Sequence, residues 1–266
     1  MHRHLVLIAA LCLCTPAMAQ APDTVFLEQL TWDEARDAIA GGKTTIIVPT
    51  GGTEQNGPHM ALGKHNARVT VNANTIARRL GNALVAPTMA YVPEGGIDPP
   101  TGHMRFPGTI GIPDPVYRQV IEYAARSLKQ HGFKDIIFLG DSGGNQPGQT
   151  AVAATLNAEW AGSDVRVHTF FNYYRGDPQG DAALMMKLGI RKDEIGGHAD
   201  VRDTSLLLAT APGLVRTAKL QAGDGKNGVD GDPRRASAEI GRALTEKTVT
   251  RTVQEIRDSI VSARKR

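Results

Sequence analysis

The stretch that decides the fold is Thr45–Asn66, with the sequence TIIVPTGGTEQNGPHMALGKHN. It begins with an apolar run that is typical of a buried strand. The glycine-containing loop that follows concentrates polar side chains, namely Glu54, Gln55, Asn56, His59 and His65. In α/β proteins, ligands bind at the loops that follow the strands. The stretch therefore predicts a buried strand with a ligand site directly after it.

Outward from this stretch, strand and helix patterns alternate along the chain. Further strands are predicted at Ala83–Ala86, Asp135–Leu139 and Val165–Phe171. Helices are predicted at Thr31–Ala40, Val69–Leu80, Pro113–His131, Gln146–Trp160, Asp181–Leu188, Asp203–Ala209 and Ala236–Ala263, the last with a break near Thr248 as an open alternative. Strands separated by helices pair in parallel through right-handed crossovers. The pattern predicts a three-layer α/β/α sandwich with a mostly parallel central sheet.

The N-terminus predicts the compartment. Met1–Ala19 combines a basic start, an apolar stretch and the A-x-A sequence of a cleavage site, which is typical of a secretory signal peptide. Both cysteines, Cys12 and Cys14, lie in this segment, and Leu13 stands where a lipoprotein signal needs a small residue. We expect a periplasmic or secreted protein without a lipid anchor or disulfides, and a buried core helix is the alternative interpretation of the segment.

Composition excludes several classes of partner. The chain has 30 Lys and Arg against 27 Asp and Glu, and it has no basic stripe with interleaved aromatic residues, so nucleic-acid binding is not expected. No segment after the signal peptide could span a membrane. Residues 20–266 have a length suited to one α/β domain with a sizeable core. The expected partner is therefore a small-molecule substrate or ligand.

Five segments resemble, in the correct order, motifs of the creatininase (creatinine amidohydrolase) family. The loop around Glu54 is similar to G-x-x-E-Q-H-G-P-H-L-P-L-x-x-D. His103–Thr109 is similar to H-x-x-F-P-G-T, Gly140–Asn145 to N-G-H-G-G-N, and His198–Ser205 to H-A-G-x-x-E-T-S. Gly228–Arg242 resembles the family's C-terminal segment. The resemblance implies a creatininase-like fold, a homo-oligomer, and hydrolysis of amide bonds in cyclic or small C–N substrates.

The resemblance also implies two divalent ions, yet the ligand positions differ here. They fall on Glu54, Asn56, His65 and Ser142, and only Glu54 keeps the family residue. Asn56 and Ser142 stand where the family has histidine. His65 replaces the aspartate that bridges the two ions, and an imidazole nitrogen cannot bridge them. We therefore expect a rebuilt site that binds one zinc or manganese ion at most.

Candidate site residues follow from these loops. A single ion would be held by Glu54, His65 and Asp141, which offer mixed oxygen and nitrogen ligands. His59, His103, Asn145 and His198 match polar positions of the family motifs, whereas Asp203 replaces a glutamate and Ser142 a histidine. The predicted roles are catalysis for Glu54, His198 and Asp203, and substrate binding for His59, His103, Ser142 and Asn145. The alternatives are that His65 lies on the surface, that Asp141 caps the next helix, and that His59 and His103 only hold the loops in shape.

The segment Gly140–Gly144, GDSGG, also resembles the sequence around the nucleophile of chymotrypsin-like serine proteases. The α/β pattern of this chain argues that the match is coincidental. An activated Ser142 hydroxyl remains a separate hypothesis.

Two function classes remain open from the sequence. One is a hydrolase of non-peptide C–N bonds, an amidohydrolase with metal-assisted chemistry. The other is a non-catalytic relative that binds a small polar ligand or a protein partner. Retention of Glu54 and the histidines favours the first, and loss of three ligand positions favours the second.

Overall fold

A parallel four-stranded sheet forms the centre of the computed structural model, which describes residues 22–265. The strands are β1 (Thr45–Thr50), β2 (Ala83–Val85), β3 (Asp135–Gly140) and β4 (Arg166–Thr169). They lie in the order β2-β1-β3-β4, and all three neighbouring pairs are parallel. The predicted signal peptide, Met1–Ala19, lies outside the described residues.

Helices cover both faces of the sheet. They are α1 (Trp32–Ala40), α2 (Lys64–Leu80), α3 (Asp114–Gln130), α4 (Asn145–Glu159), α5 (Phe171–Arg175), α6 (Pro178–Lys187), α7 (Val201–Thr210) and α8 (Ala238–Arg264). Short 3₁₀ helices lie at Leu27–Gln29, Gly102–Arg105, Lys192–Glu194, Pro212–Leu214 and Thr217–Lys219. Across residues 22–265, no helix has the length and apolar character that crossing a bilayer requires.

The core divides into two layers because successive residues of a strand point to opposite faces of the sheet. One layer joins α3 and α4 to one face of β1 and β3, through Ile46, Val48, Ile136 and Phe138. The other joins α2 and α8 to the opposite face, through Ile47, Ile137 and Leu139. A strand buried on both faces is apolar along its length, which is the pattern seen in Thr45–Val48. The predicted three-layer α/β/α sandwich is confirmed.

Several local predictions need correction. The C-terminal helix is continuous through Thr248, which is buried on a helix that packs along α7 and α2, so the alternative of a break there is wrong. The strand predicted over Val165–Phe171 is shorter, because Phe171–Arg175 forms a helix that turns the chain back over the sheet. Thr31 is the N-cap of α1, where its hydroxyl oxygen and the Glu34 side chain form a capping box.

The register of the sheet places the two functional loops side by side. Thr50 at the end of β1 lies opposite Gly140 at the end of β3. The loop after β1 runs into α2 at Lys64, and the loop after β3 runs into α4 at Asn145. The polar residues of both loops therefore meet at one edge of the sheet, as expected for an α/β fold.

Candidate active site

Two glycines allow the loop after β1 to pass close to its neighbours. A Cβ at Gly51 would lie 2.1 Å from the Asn66 side chain, and one at Gly52 would lie 2.2 Å from Glu94 Oε1. Gly52 also has a φ of 152°, a backbone angle that residues with a side chain rarely adopt. The Gly52 amide donates to Asn66 Oδ1 at 3.0 Å. This close passage brings Glu54, the start of α2 and the loop that carries Glu94 together.

His65 lies between two buried carboxylates. Its Nε2 is 2.8 Å from Glu54 Oε1, and its Nδ1 is 2.7 Å from Asp141 Oδ1. Carboxylate oxygens accept hydrogen bonds, so a ring nitrogen of His65 that carries a proton donates to the carboxylate it faces. Tyr173 donates its hydroxyl to the second oxygen of Asp141 at 2.7 Å. His65 therefore bridges the loop after β1 and the loop after β3 through hydrogen bonds.

Two basic residues of α2 complete this arrangement. Lys64 Nζ lies 2.7 Å from Asp203 Oδ2 and 3.8 Å from Glu54 Oε1. Arg68 donates from Nη1 to Asp203 Oδ1 at 2.9 Å, and its Nη2 lies 2.6 Å from Asp141 Oδ1. We call this set the inner cluster: Glu54, Lys64, His65, Arg68, Asp141 and Asp203. All six are buried, and Lys64 is 0% exposed.

The charges of the inner cluster keep its acids ionised. Burial alone would raise the pKa of Asp203, but the Lys64 ammonium and the Arg68 guanidinium hold that pKa well below its usual range. Burial is likewise outweighed at Asp141 by Arg68 and His65, and its pKa is lowered. The effect of burial on Glu54 is outweighed by His65 and Lys64, and the pKa of Glu54 is again lowered. The cluster therefore presents carboxylates at neutral pH.

Glu94 is in the opposite state. Burial and its hydrogen bond with Glu54 raise the pKa of Glu94 to about 10, so this carboxyl keeps its proton at neutral pH. A neutral Glu94 can donate that hydrogen bond to Glu54. Two carboxyl groups in contact with pKa values driven apart are a frequent feature of active sites.

Two histidines lie on the solvent side of Glu54. His103 Nε2 is 3.3 Å from Glu54 Oε2, His198 Nδ1 is 3.9 Å from Glu54 Oε1, and the ring centroids are 4.7 Å apart. Burial and the Lys64 charge lower the pKa of His198 to about 4, so its ring is neutral at pH 7. Its Nε2 donates to the Gln55 carbonyl at 3.0 Å, which leaves a lone pair on Nδ1.

Glu54, His103 and His198 form the outer triad, the candidate ion site in residues 22–265. One ligand atom from each lies within 4.8 Å of the others. Two imidazoles and one carboxylate suit a single zinc-like ion with open positions. The Gln55 amide donates to His103 Nδ1 at 3.0 Å, so neutral His103 carries its proton on Nε2, facing Glu54. To hold an ion through Nε2, His103 would have to carry its proton on Nδ1 instead, with the Gln55 amide turned so that its oxygen accepts that proton.

A dinuclear centre does not fit the residues present. Asn56 donates its amide to the Glu54 and Ala61 carbonyls. His65 uses both ring nitrogens within the inner cluster, and Ser142 offers only a hydroxyl. The predicted ion site of Glu54, His65 and Asp141 is corrected on the same ground. These three side chains do meet, but His65 Nδ1 and Nε2 face the carboxylates with which it was expected to share an ion.

The outer triad opens into a cavity of about 620 Å³. Its walls combine the end of the sheet with the loops before α4 and α7 and the segment Tyr174–Arg175. Of the residues predicted to bind substrate, His103 and Ser142 line the cavity, as do the predicted catalytic residues Glu54, His198 and Asp203. The cavity therefore collects side chains from four separate loops.

The other two predicted substrate-binding residues lie behind this wall. His59 is 0% exposed, and its Nε2 is 2.9 Å from the Thr204 hydroxyl. Asn145 donates its amide to the Thr50 carbonyl, the Thr50 hydroxyl and the Gly51 carbonyl. Both residues hold the loops in place, so assigning them to substrate binding is wrong.

Two alternatives from the sequence are also excluded. His65 is 3% exposed and is not a surface histidine. Asp141 does not cap the following helix, because the N-cap of α4 is Gly144 and no side chain bonds to that helix end.

Sequence reasoning missed Lys64, Arg68 and Glu94. A signal for the first two exists in the segment KHNAR, which puts basic residues and no acid in the first turn of α2. Positive charge is unfavourable at a helix N-terminus. A helix that starts with Lys64 and His65 therefore indicates that carboxylates from other segments meet them there. No comparable pattern marks Glu94.

Comparison with known proteins is consistent with this geometry. The family model described as Creatininase, creatinine amidohydrolase, matches residues 28–256. The chain belongs to the creatininase family. The match falls within the predicted domain, residues 20–266, and spans every strand of the sheet.

Relatives of this creatininase-family protein include two named hydrolases. The mycofactocin precursor peptide peptidase of Mycobacterium tuberculosis is 27% identical over 240 residues, 80% of this chain and 84% of the relative. The creatinine amidohydrolase of Pseudomonas putida is 28% identical over 203 residues, 72% of this chain and 74% of the relative.

The fold is shared with solved creatininase structures. A crystal structure of creatinine amidohydrolase superposes with a TM-score of 0.77 at 24% identity, covering 90% of this chain and 99% of that one. Other matching creatininase structures are described as a manganese form and as a Zn-Zn type. The likeness confirms the predicted creatininase-like fold.

Proposed function

We propose that this creatininase-family protein hydrolyses an amide C–N bond of a small polar substrate, with one divalent ion at most, bound at the outer triad. The observation that supports this most directly is the outer triad itself, which opens into the cavity. The two named relatives also hydrolyse C–N bonds, one in creatinine and one in a peptide. The loss of three family ligand positions favours the alternative of a non-catalytic binding protein, but the outer triad offers other ligands for an ion.

The cavity supports a small substrate. Its volume of about 620 Å³ lies within the range of small-molecule sites, about 300–1,000 Å³. Polar groups line one side, and Met185, Ile195 and Pro178 contribute apolar surface on another. We therefore favour a cyclic or short non-peptide amide over a long peptide.

Residues of this chain supply distinct parts of the chemistry. A divalent ion, when bound, polarises a carbonyl and provides hydroxide near neutral pH. Glu54 presents a charged carboxylate, and neutral His198 presents a lone pair. The loop Ser142–Gly144 lines the cavity at the start of α4. A helix N-terminus favours negative charge, so this loop suits the carbonyl oxygen of the substrate.

A panel assay tests the proposal. Tag-free protein would be incubated with cyclic amides, short N-acyl compounds and short peptides, with manganese, zinc or a chelator. We expect release of a new amine and carboxylate from a non-peptide amide, lost in the chelator. His198→Ala should abolish turnover, whereas His131→Ala, at an exposed histidine, should not. Activity on peptides alone would refute the non-peptide assignment, and full activity of His198→Ala would refute the site.

Two further proposals concern the setting of the protein. We propose that it works in the periplasm or outside the cell after removal of Met1–Ala19, which intact-mass measurement on exported material would test.

We also propose a homo-oligomer. The exposed apolar residues Val116, Val120 and Tyr123 of α3 support it, and light scattering of the purified protein would test it.

A further inference from the structure

Lys64 is an unusual residue in this fold. Lysine is almost never fully buried unless it is paired, yet Lys64 is 0% exposed and lies in the first turn of α2. Both burial and the helix dipole disfavour a cation at this position. The contacts that offset this cost are those to Asp203 and Glu54. A charge kept against two such penalties indicates a specific role in the site.

Every carboxylate of the inner cluster is paired with a basic side chain of the same cluster. The cluster brings together three carboxylates and three basic groups: Glu54, Asp141 and Asp203 with Lys64, His65 and Arg68. Each carboxylate has at least one basic partner within 2.9 Å. Adding a divalent ion inside the cluster would bring further positive charge into a region closed to solvent, where each carboxylate already has a basic partner. The outer triad lies on the cavity side, where solvent and substrate can compensate an ion.

We propose that Lys64 is a built-in cation that takes the inner position between Glu54 and Asp203 and keeps a second divalent ion out of the site. The Glu54 carboxylate is shared in this arrangement. Its Oε1 faces His65, Lys64 and, at 3.9 Å, His198, and its Oε2 faces His103. Lys64 is thus a positioning residue, which holds Oε1 from the inner side and leaves Oε2 to the outer triad. Without the ammonium, Asp203 would keep only Arg68 and Glu54 only His65 as basic partners within the inner cluster, and the space left between the two carboxylates would suit a hydrated dication.

Counting bound ions tests the inference. Lys64→Ala removes the charge and opens space between the two carboxylates. After equilibrium dialysis against Mn²⁺, elemental analysis should give about two ions per chain for Lys64→Ala and about one for the wild type. Added Mn²⁺ should also raise the melting temperature of Lys64→Ala by more than it raises that of the wild type.

A second variant guards against a folding defect. The double variant Lys64→Met, Asp203→Asn removes one charge of each sign and fills the volume, so it should bind no more Mn²⁺ than the wild type. Two ions bound to the wild type, or to the double variant, would overturn the inference. So would a Lys64→Ala protein whose ion count and Mn²⁺-induced melting shift both equal those of the wild type.

The inference takes the outer triad of the proposed function as its reference position, but its readout is ion number rather than turnover. A protein that binds one ion and hydrolyses nothing would refute the proposed function and leave the role of Lys64 intact.

Discussion

Asp203→Asn is the substitution that most directly tests how the inner cluster is stabilised. Asp203 accepts from Lys64 Nζ at 2.7 Å, from Arg68 Nη1 at 2.9 Å and from the Ala199 amide at 3.1 Å. Asparagine keeps the shape and one acceptor, but it removes the charge that both basic side chains face. Arg68 retains Asp141, whereas Lys64 retains only Glu54 at 3.8 Å. The main cost is therefore a buried ammonium left with one distant partner.

Removing one partner of a buried ion pair costs about 3–5 kcal/mol. In a domain of this size, each kcal/mol lowers the melting temperature by about 2–4 °C. We expect Asp203→Asn to melt about 6–20 °C below the wild type. The measurement is thermal denaturation followed by circular dichroism at pH 7, with a chelator present so that ion binding does not contribute.

The matched control is Glu246→Gln. It breaks an ion pair of similar length, Arg79 Nη2 to Glu246 Oε2 at 2.6 Å, whose side chains are 37% and 61% exposed. Exposed pairs contribute about 0–1 kcal/mol, so the shift should not exceed about 4 °C. If Asp203→Asn melts as close to the wild type as Glu246→Gln does, the inner cluster is not held by these charges and the reasoning fails.

Three further outcomes are expected. The pKa of His198 falls from an unfolded value near 6.5 to about 4 in the folded protein. Between these values the unfolded chain binds more protons, so the free energy of unfolding decreases as pH falls through this window, by at most about 3 kcal/mol. His198→Gln should therefore weaken the dependence of the melting temperature on pH between 6.5 and 4, and an unchanged slope would contradict the assignment. Ser142→Ala should retain turnover, because no histidine or acid pairs with the Ser142 hydroxyl within residues 22–265, and a loss of more than about a hundredfold would revive the nucleophile hypothesis. Asn145→Ala removes the bonds that tie α4 to the end of β1 and should lower unfolding free energy by about 2–3 kcal/mol in urea titration, with turnover lost only in proportion to the unfolded fraction; normal stability with lost turnover would return Asn145 to the substrate site.

The layers of this fold could be predicted from the sequence because two of the strands have a clear apolar pattern. Thr45–Val48 and Asp135–Leu139 are apolar without alternation, which only a strand covered on both faces needs to be. The loop after β1 could be placed at the edge of the sheet because it directly follows such a strand. The Phe171–Arg175 turn of helix could not, because its aromatic residues fit a strand equally well and only packing against α8 decides between them.

The site was predicted less completely than the fold. Glu54, His103 and His198 were identified from family motifs, but motifs do not say which residues share a contact. His65 and Asp141 were expected to hold an ion together, and they instead bond to each other. His59 and Asn145 are predicted to bind substrate because they match polar positions of the family motifs, whereas both form hydrogen bonds within the scaffold. Pairing between distant segments decided each of these cases, and one sequence does not display it.

The arrival of Lys64, His65 and Arg68 on consecutive turns of α2 has a consequence for how the protein matures. The carboxylates that they pair with come from the loop after β1, the loop after β3 and α7. Docking of this single helix therefore gives all three carboxylates a basic partner at once. The chain can reach its native charge distribution before it meets any ion. Metal supply in the surrounding compartment would then limit how many molecules are active, but not how many are folded.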